Sequence, residues 1–207
     1  MPAAASPRKE ELLDRAYAYV LEHGLAAMSL RPLAAAIGSS PRVLLYLFGS
    51  KEGLTRALLA RARADELEAL AALAVLRTGV GDGDGDGDGD GDADGDGDGV
   101  GAVARALWAW LSAPGHRGVL ILWLEGYARS LTEPEGPWGG FARSTVDDWL
   151  GLLGAAQPAA LRRTRAGEAQ RTVVLGILRG GLLDLLATQE TARVTRAVER
   201  ELARLCA

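Results

Sequence analysis

The chain has 207 residues, 48% of them hydrophobic, enough for one sizeable core or two small ones. Its formal net charge is −4, but nine of its 27 acidic residues fall in one Gly-Asp run, and without that run the net charge is +5. One cysteine, Cys206, closes no intrachain disulfide and offers no second thiolate to a metal; no apolar stretch reaches the roughly 18 residues of a membrane span, and MPAAASPRKEELL lacks the apolar core of a signal peptide, so a cytoplasmic protein with no membrane partner is expected.

Ala, Leu, Arg and Glu dominate and β-branched residues are sparse, so the chain reads as all-α, with about nine helices. Residues 8–23 carry a stripe of Leu12, Ala16 and Val20, and Gly24 ends that helix as its C′ residue. Ser29 is placed to cap the next helix, with Met28 and Leu33 as a hydrophobic staple, Pro32 in the first turn and Gly38 as the breaker. Ser40 caps a short third helix, with Pro41 at its first position and Gly49 at its end. Ser50 caps a longer one over residues 51–77. Beyond the Gly-Asp run, further helices are read at 102–113, 116–131, 140–156, within 159–187, and at 191–205, with TEPEGPWGG as a loop.

The segment SLRPLAAAIGSSPRVLLYLFGSKEGL, residues 29–54, carries the function. Two short capped helices separated by GSS and followed by a third describe a helix–turn–helix, whose second helix can enter the DNA major groove end-on. The first 63 residues hold nine Lys or Arg against five acids, the balance a polyanion partner needs. HGLAAMSLRPLAAAIGSSPRVLLYLFGSKEGL resembles the DNA-binding domain of the tetracycline-repressor (TetR) family of bacterial transcription regulators over about residues 8–60. The matching features are the Gly after helix 1, the hydroxyl cap, the Leu-Ala pair, the Gly turn, the Leu and Phe of helix 3 and the following S-K-E. The resemblance implies a DNA-facing set of Arg31, Ser40, Pro41, Arg42, Val43, Tyr46 and Lys51, with Leu44 and Phe48 in the core. Where the family commonly carries a Tyr and a His able to bond phosphate, this chain has Leu45 and Leu47, which leaves more of the phosphate attraction to Arg42, Tyr46, Lys51 and an Arg8–Lys9 arm.

The resemblance further implies residues 1–50 as the helix–turn–helix domain and 51–207 as a helical effector-binding and dimerisation domain; the Gly-Asp composition, with no apolar side chain to order it, makes the interruption at 79–101 a disordered loop. Trp108, Trp110, Trp123, Tyr127, Phe141 and Trp149 could line an apolar effector cavity with Glu125 and Arg129 as polar handles; the expected ligand contacts are Trp108, Trp123, Tyr127 and Trp149. Leu175, Leu178, Leu182 and Leu186 with interleaved glycines, together with Val198 and Leu202, are the expected homodimer interface. The family implies a repressor released from a palindromic double-stranded operator by a small hydrophobic effector. An activator, or an adaptor of the same fold that does not bind DNA, is the alternative.

No enzyme is expected, since no catalytic motif occurs, only His23 and His116 could act as imidazole bases, and His23 suits a helix C-terminus. No cofactor and no metal are expected. The Gly-Asp run, residues 81–99, fails as an EF-hand. The closing ligand at position 12 lies an odd step from position 1, and in a period-two repeat that step lands on Gly or Ala. The run is read as an expanded loop; the alternative is that its nine negative charges compete with DNA for the basic domain.

Overall fold

A computed structural model describes residues 7–25, 28–78 and 99–205. They form α1 (Pro7–His23), α2 (Leu30–Ala36), α3 (Pro41–Phe48), α4 (Lys51–Thr78), α5 (Gly99–Ser112), a single 3-10 turn (Pro114–His116), α6 (Arg117–Thr132), α7 (Phe141–Ala155), α8 (Ala159–Arg162), α9 (Arg165–Thr188) and α10 (Thr191–Leu205). The described residues contain no strand, as the composition requires. They hold ten α-helices because the apolar stretch after Ala159 is two elements, not one. Thr164 takes an extended conformation there, and its hydroxyl accepts the Gly167 N–H at 3.0 Å, which restarts the helix as α9. The Gly-Asp run lies outside the described residues up to residue 98, but Gly99 to Gly101 are the first turn of α5, so the loop expected at 79–101 ends earlier.

The residues group into two compact units, 1–66 with 117–145, and 67–116 with 146–207. In the first, α1 buries Leu12, Ala16 and Val20 on one face, and Leu33, Leu44, Leu54 and Leu58 join the same apolar interior. Helix α6 packs against α1 at close range. A Cβ on Gly118 would stand 2.7 Å from the Leu21 carbonyl oxygen, so only glycine allows the approach. Two residues past the end of α1, the Leu25 N–H donates to Glu125 Oε2 at 2.8 Å. Gly126 lies close against Leu59 and Phe141. Across the unit, Arg61 bridges Asp14 of α1 (3.5 Å) and Asp65 of α4 (3.1 Å).

The second unit is built on α5, α9 and α10. Val103, Leu107 and Leu111 of α5 are buried, with Leu178, Leu182, Val198 and Leu202 of the other two helices. The Trp108 indole N–H donates to Thr195 Oγ1 at 3.1 Å, so this large ring is buried without an orphan donor. Buried Gln157 ties α7 to α9: its amide donates to Gly167 O (2.7 Å) and Gln170 Oε1 (3.0 Å), and its carbonyl accepts from Arg171 (3.0 Å).

Candidate nucleic-acid interface

Helix α3 is short, and both its ends are fixed by the residues its sequence supplies. Ser40 is extended, and its Oγ accepts the Val43 N–H at 3.3 Å; Pro41 occupies the first helical position, where its missing N–H costs nothing. At the other end Gly49, with φ +80°, donates to Leu45 O at 2.8 Å and turns the chain. Ser50 then caps α4 by accepting the Gly53 N–H at 3.0 Å. Ser29 stands at the N-cap of α2, but its hydroxyl makes no capping bond; its backbone carbonyl accepts the Leu33 N–H at 3.2 Å. The C-terminal end of α2 is held from α1, where Arg15 donates to Ile37 O at 3.3 Å.

The packing decides which face of α3 is free. Leu44 is 1% exposed and Phe48 is buried, which fixes the inner side. The opposite side presents Arg42, Val43 (39% exposed), Leu45 (40%) and Tyr46 (87%). At 100° per residue, Arg42 and Tyr46 fall in the middle of that face, one turn apart, with Val43 and Leu45 to either side. Among the DNA-facing residues expected from the sequence, Arg31, Ser40, Arg42, Val43, Tyr46 and Lys51 are exposed and Pro41 is half-buried. Among the described residues, neither Arg31 nor Arg42 meets a carboxylate at ion-pair distance, so both cations remain available to a polyanion. Arg56 of α4 is a fourth exposed cation beside Arg31, Arg42 and Lys51. Glu52, next to Lys51, is held below the ordinary carboxylate value first by its own backbone N–H and then by the Ser50 hydroxyl.

Arg8 and Lys9 do not form an arm. Both lie inside α1. Arg8 pairs with Glu11 at 2.7 Å, and that hydrogen bond is the main reason the Glu11 carboxyl titrates low. The Lys9 ammonium sits 5.3 Å above the Phe48 ring.

The residues expected to line an effector cavity are divided between the two units. Trp108 and Trp149 lie in the second and are buried there. Trp123 and Tyr127 lie in the first, their ring centroids 5.1 Å apart. Glu125 is taken up by the Leu25 amide, and Arg129 by Glu133 (3.4 Å) and the face of Trp138 (5.1 Å). Within the first unit a cleft of about 210 Å³ is lined by Lys51, Glu52, Arg129 and Glu133 together with Met28 and Trp138. Its walls come from three separate stretches of chain, 25–28, 51–55 and 129–138, so no local pattern announces it.

The leucines expected at a dimer interface are mostly packed inside the chain. Leu175, Leu178 and Leu182 of α9 and Val198 and Leu202 of α10 are buried within one protomer, and Leu186 is half-buried. The outer face of α9 carries Val173 (48% exposed) and Leu183 (49%) instead, with Gly176 and Gly180 between them; a Cβ on either glycine would meet nothing within 4 Å.

The two histidines make backbone contacts. His23 Nδ1 lies 2.9 Å from Tyr19 O and stacks on that ring, and His116 Nδ1 lies 2.7 Å from Trp110 O. Among the described residues no three His, Cys, Asp or Glu side chains gather as a metal site, and no helix is long and apolar enough to cross a membrane.

Residues 12–58 match the family model described as bacterial regulatory proteins, tetR family. No curated protein matches the chain. Among solved structures, the multidrug binding protein EbrR in complex with imidazole is 23% identical, with a TM-score of 0.60 over 100% of this chain and 94% of that one. EbrR has also been solved with proflavin and with ethidium. A putative TetR-family transcriptional regulator from Rhodococcus sp. is 15% identical, with a TM-score of 0.67 over 98% and 100% of the two chains. A TetR-family member from Streptomyces coelicolor A3 is 23% identical, with a TM-score of 0.63 over 97% and 99%. With the capped α2–α3 pair, the S-K-E start of α4 and this match, residues 12–58 form an N-terminal domain of the kind found in the tetR family of bacterial regulatory proteins.

Proposed function

We propose that this protein is a homodimeric, ligand-responsive transcription regulator that represses from a palindromic operator. The observation that carries the reading is the α3 face. A capped helix end presents Arg42 beside Tyr46, while Leu44 and Phe48 anchor it to the domain core. Two such faces, one per protomer, would enter successive major grooves about 34–36 Å apart. The second copy would meet the open stripe of Val173, Gly176, Gly180 and Leu183, because the flanking leucines are already buried within the chain. A small effector would favour a dimer shape with the wrong spacing, and DNA would oppose that effector by the same coupling free energy. The compounds in the EbrR structures, imidazole, proflavin and ethidium, support small ring systems as the class to try first.

A gel shift with the DNA upstream of the protein's own gene tests the reading. The wild type retards that duplex. Arg42→Ala abolishes retardation, and Lys51→Ala weakens it while reducing the salt dependence by about one counterion. Unchanged DNA affinity in both variants would remove the assignment, and a wild type that binds no duplex would favour a helical adaptor.

A further inference from the structure

The chemistry of the free α3 face restricts which bases it can read. Adenine is held in the major groove by the paired donor and acceptor of Asn or Gln, and cytosine offers its amino group to a carboxylate. Helix α3, PRVLLYLF, contains no Asn, Gln, Asp, Glu, Lys or His. Its exposed side offers one guanidinium, Arg42, one aromatic ring with a hydroxyl, Tyr46, and two aliphatic side chains, Val43 and Leu45. Arg42 suits guanine O6 and N7. The base feature that an aliphatic or aromatic surface recognises in the same groove is the 5-methyl group of thymine.

We propose that Val43 and Tyr46 are specificity-determining residues that read thymine methyl groups flanking the guanine contacted by Arg42. The inference rests on the proposed DNA-binding function and adds to it the base composition of the half-site. Tyr46 stands mid-face beside Arg42 and is 87% exposed, so its ring is open to base edges as well as to the phosphates that the family resemblance implies. Val43 is fixed beside it, because its own N–H is the one that Ser40 caps. Exposed apolar side chains so close to a groove-facing arginine would otherwise sit in water. Covering them with thymine methyls turns that exposure into affinity, by about fourfold for each methyl buried.

The full-length protein is used to select a bound sequence from a random duplex pool. The selected duplex is then resynthesised with deoxyuridine replacing thymidine one position at a time, which removes a methyl and leaves pairing and phosphates intact. At one or more thymines per half-site the wild type loses about fourfold in affinity per methyl. That loss disappears at the matching position in Val43→Ala or Tyr46→Ala. Tyr46→Phe keeps the discrimination, whereas a phosphate-bonding hydroxyl would lower its affinity evenly for all sequences. If every deoxyuridine duplex binds as well as the parent while Arg42→Ala still abolishes binding, methyl reading is overturned and operator binding stands. A pool from which no sequence is enriched overturns both.

Discussion

Gly181 leaves no space for a methyl group. A Cβ there would stand 2.6 Å from Val198 Cγ2 and 3.0 Å from the Trp108 ring, where α9, α10 and α5 meet. Gly181→Ala is expected to destabilise by about 1–3 kcal/mol, the range for overpacking a filled core, although alanine is the better helix former. Urea unfolding measures it. A variant as stable as the wild type would show that the three helices can separate freely. Gly180, one residue earlier, meets nothing within its own chain but lies on the stripe proposed for a second copy, so Gly151→Ala in α7, equally open, is the control. The sequence shows the Gly-Gly pair but not which member is crowded, because the crowding comes from Trp108 and Val198, far away in the chain. The same limit hid the Glu125–Leu25 bond, whose partners are a hundred residues apart. By contrast, Ser40, Pro41, Gly49 and Ser50 were legible, since a cap is a contact between near neighbours.

Helices α9 and α10 are joined through Gln189, which is left-handed with φ +60°. Across that corner the Arg193 guanidinium clasps both oxygens of Asp184, at 2.7 and 2.8 Å, and also pairs with Glu190. The hydrogen bond from Arg193 holds the Asp184 carboxyl below its ordinary value. A group depressed in the folded state stabilises above its unfolded pKa, about 3.9 for aspartate, and loses that contribution as pH falls through the lower folded value. Asp184→Asn is therefore expected to be less stable than the wild type near neutrality and to converge with it in strong acid. Denaturation at a series of pH values checks this, and a gap that does not close would deny the clasp its role.

The outer face of α9 sets the second expectation at this scale. Leu183→Arg places a charge on the open stripe while leaving the buried leucines untouched. If the proposed dimer uses this stripe, the wild type is expected to sediment as a dimer and the variant, at the same concentration, as a folded monomer. A dimeric variant would move the interface elsewhere. Periodicity identified α9 as amphipathic but not which side faces outward. Leu175, Leu178 and Leu182 form the denser stripe, and a dense stripe serves an intrachain core as readily as an interface.

Across the whole chain, charge is the property most easily misread. The nine aspartates of the Gly-Asp run turn a +5 remainder into a −4 protein. Removing residues 81–98 is expected to leave the thermal transition unchanged and to raise duplex affinity at low salt. The gain should fade toward 1 M salt, where the screening length shortens to about 3 Å. Equal low-salt affinity with and without the run would end the idea that it competes with DNA. At this scale the helical class was plain from composition, and the helix–turn–helix was plain from its motif. The partition into units was not, since α6 enters the sequence only after residue 116 and yet completes the first unit.

That late return of α6 matters to anyone exchanging DNA-reading heads between regulators. A graft of residues 1–66 would carry only half of a seam. It would bring the Leu21 carbonyl and the Leu25 amide, and leave behind the glycine that lets α6 approach the one and the carboxylate that accepts from the other. A recipient scaffold needs the equivalents of Gly118 and Glu125 before its new head can be held as it is held here.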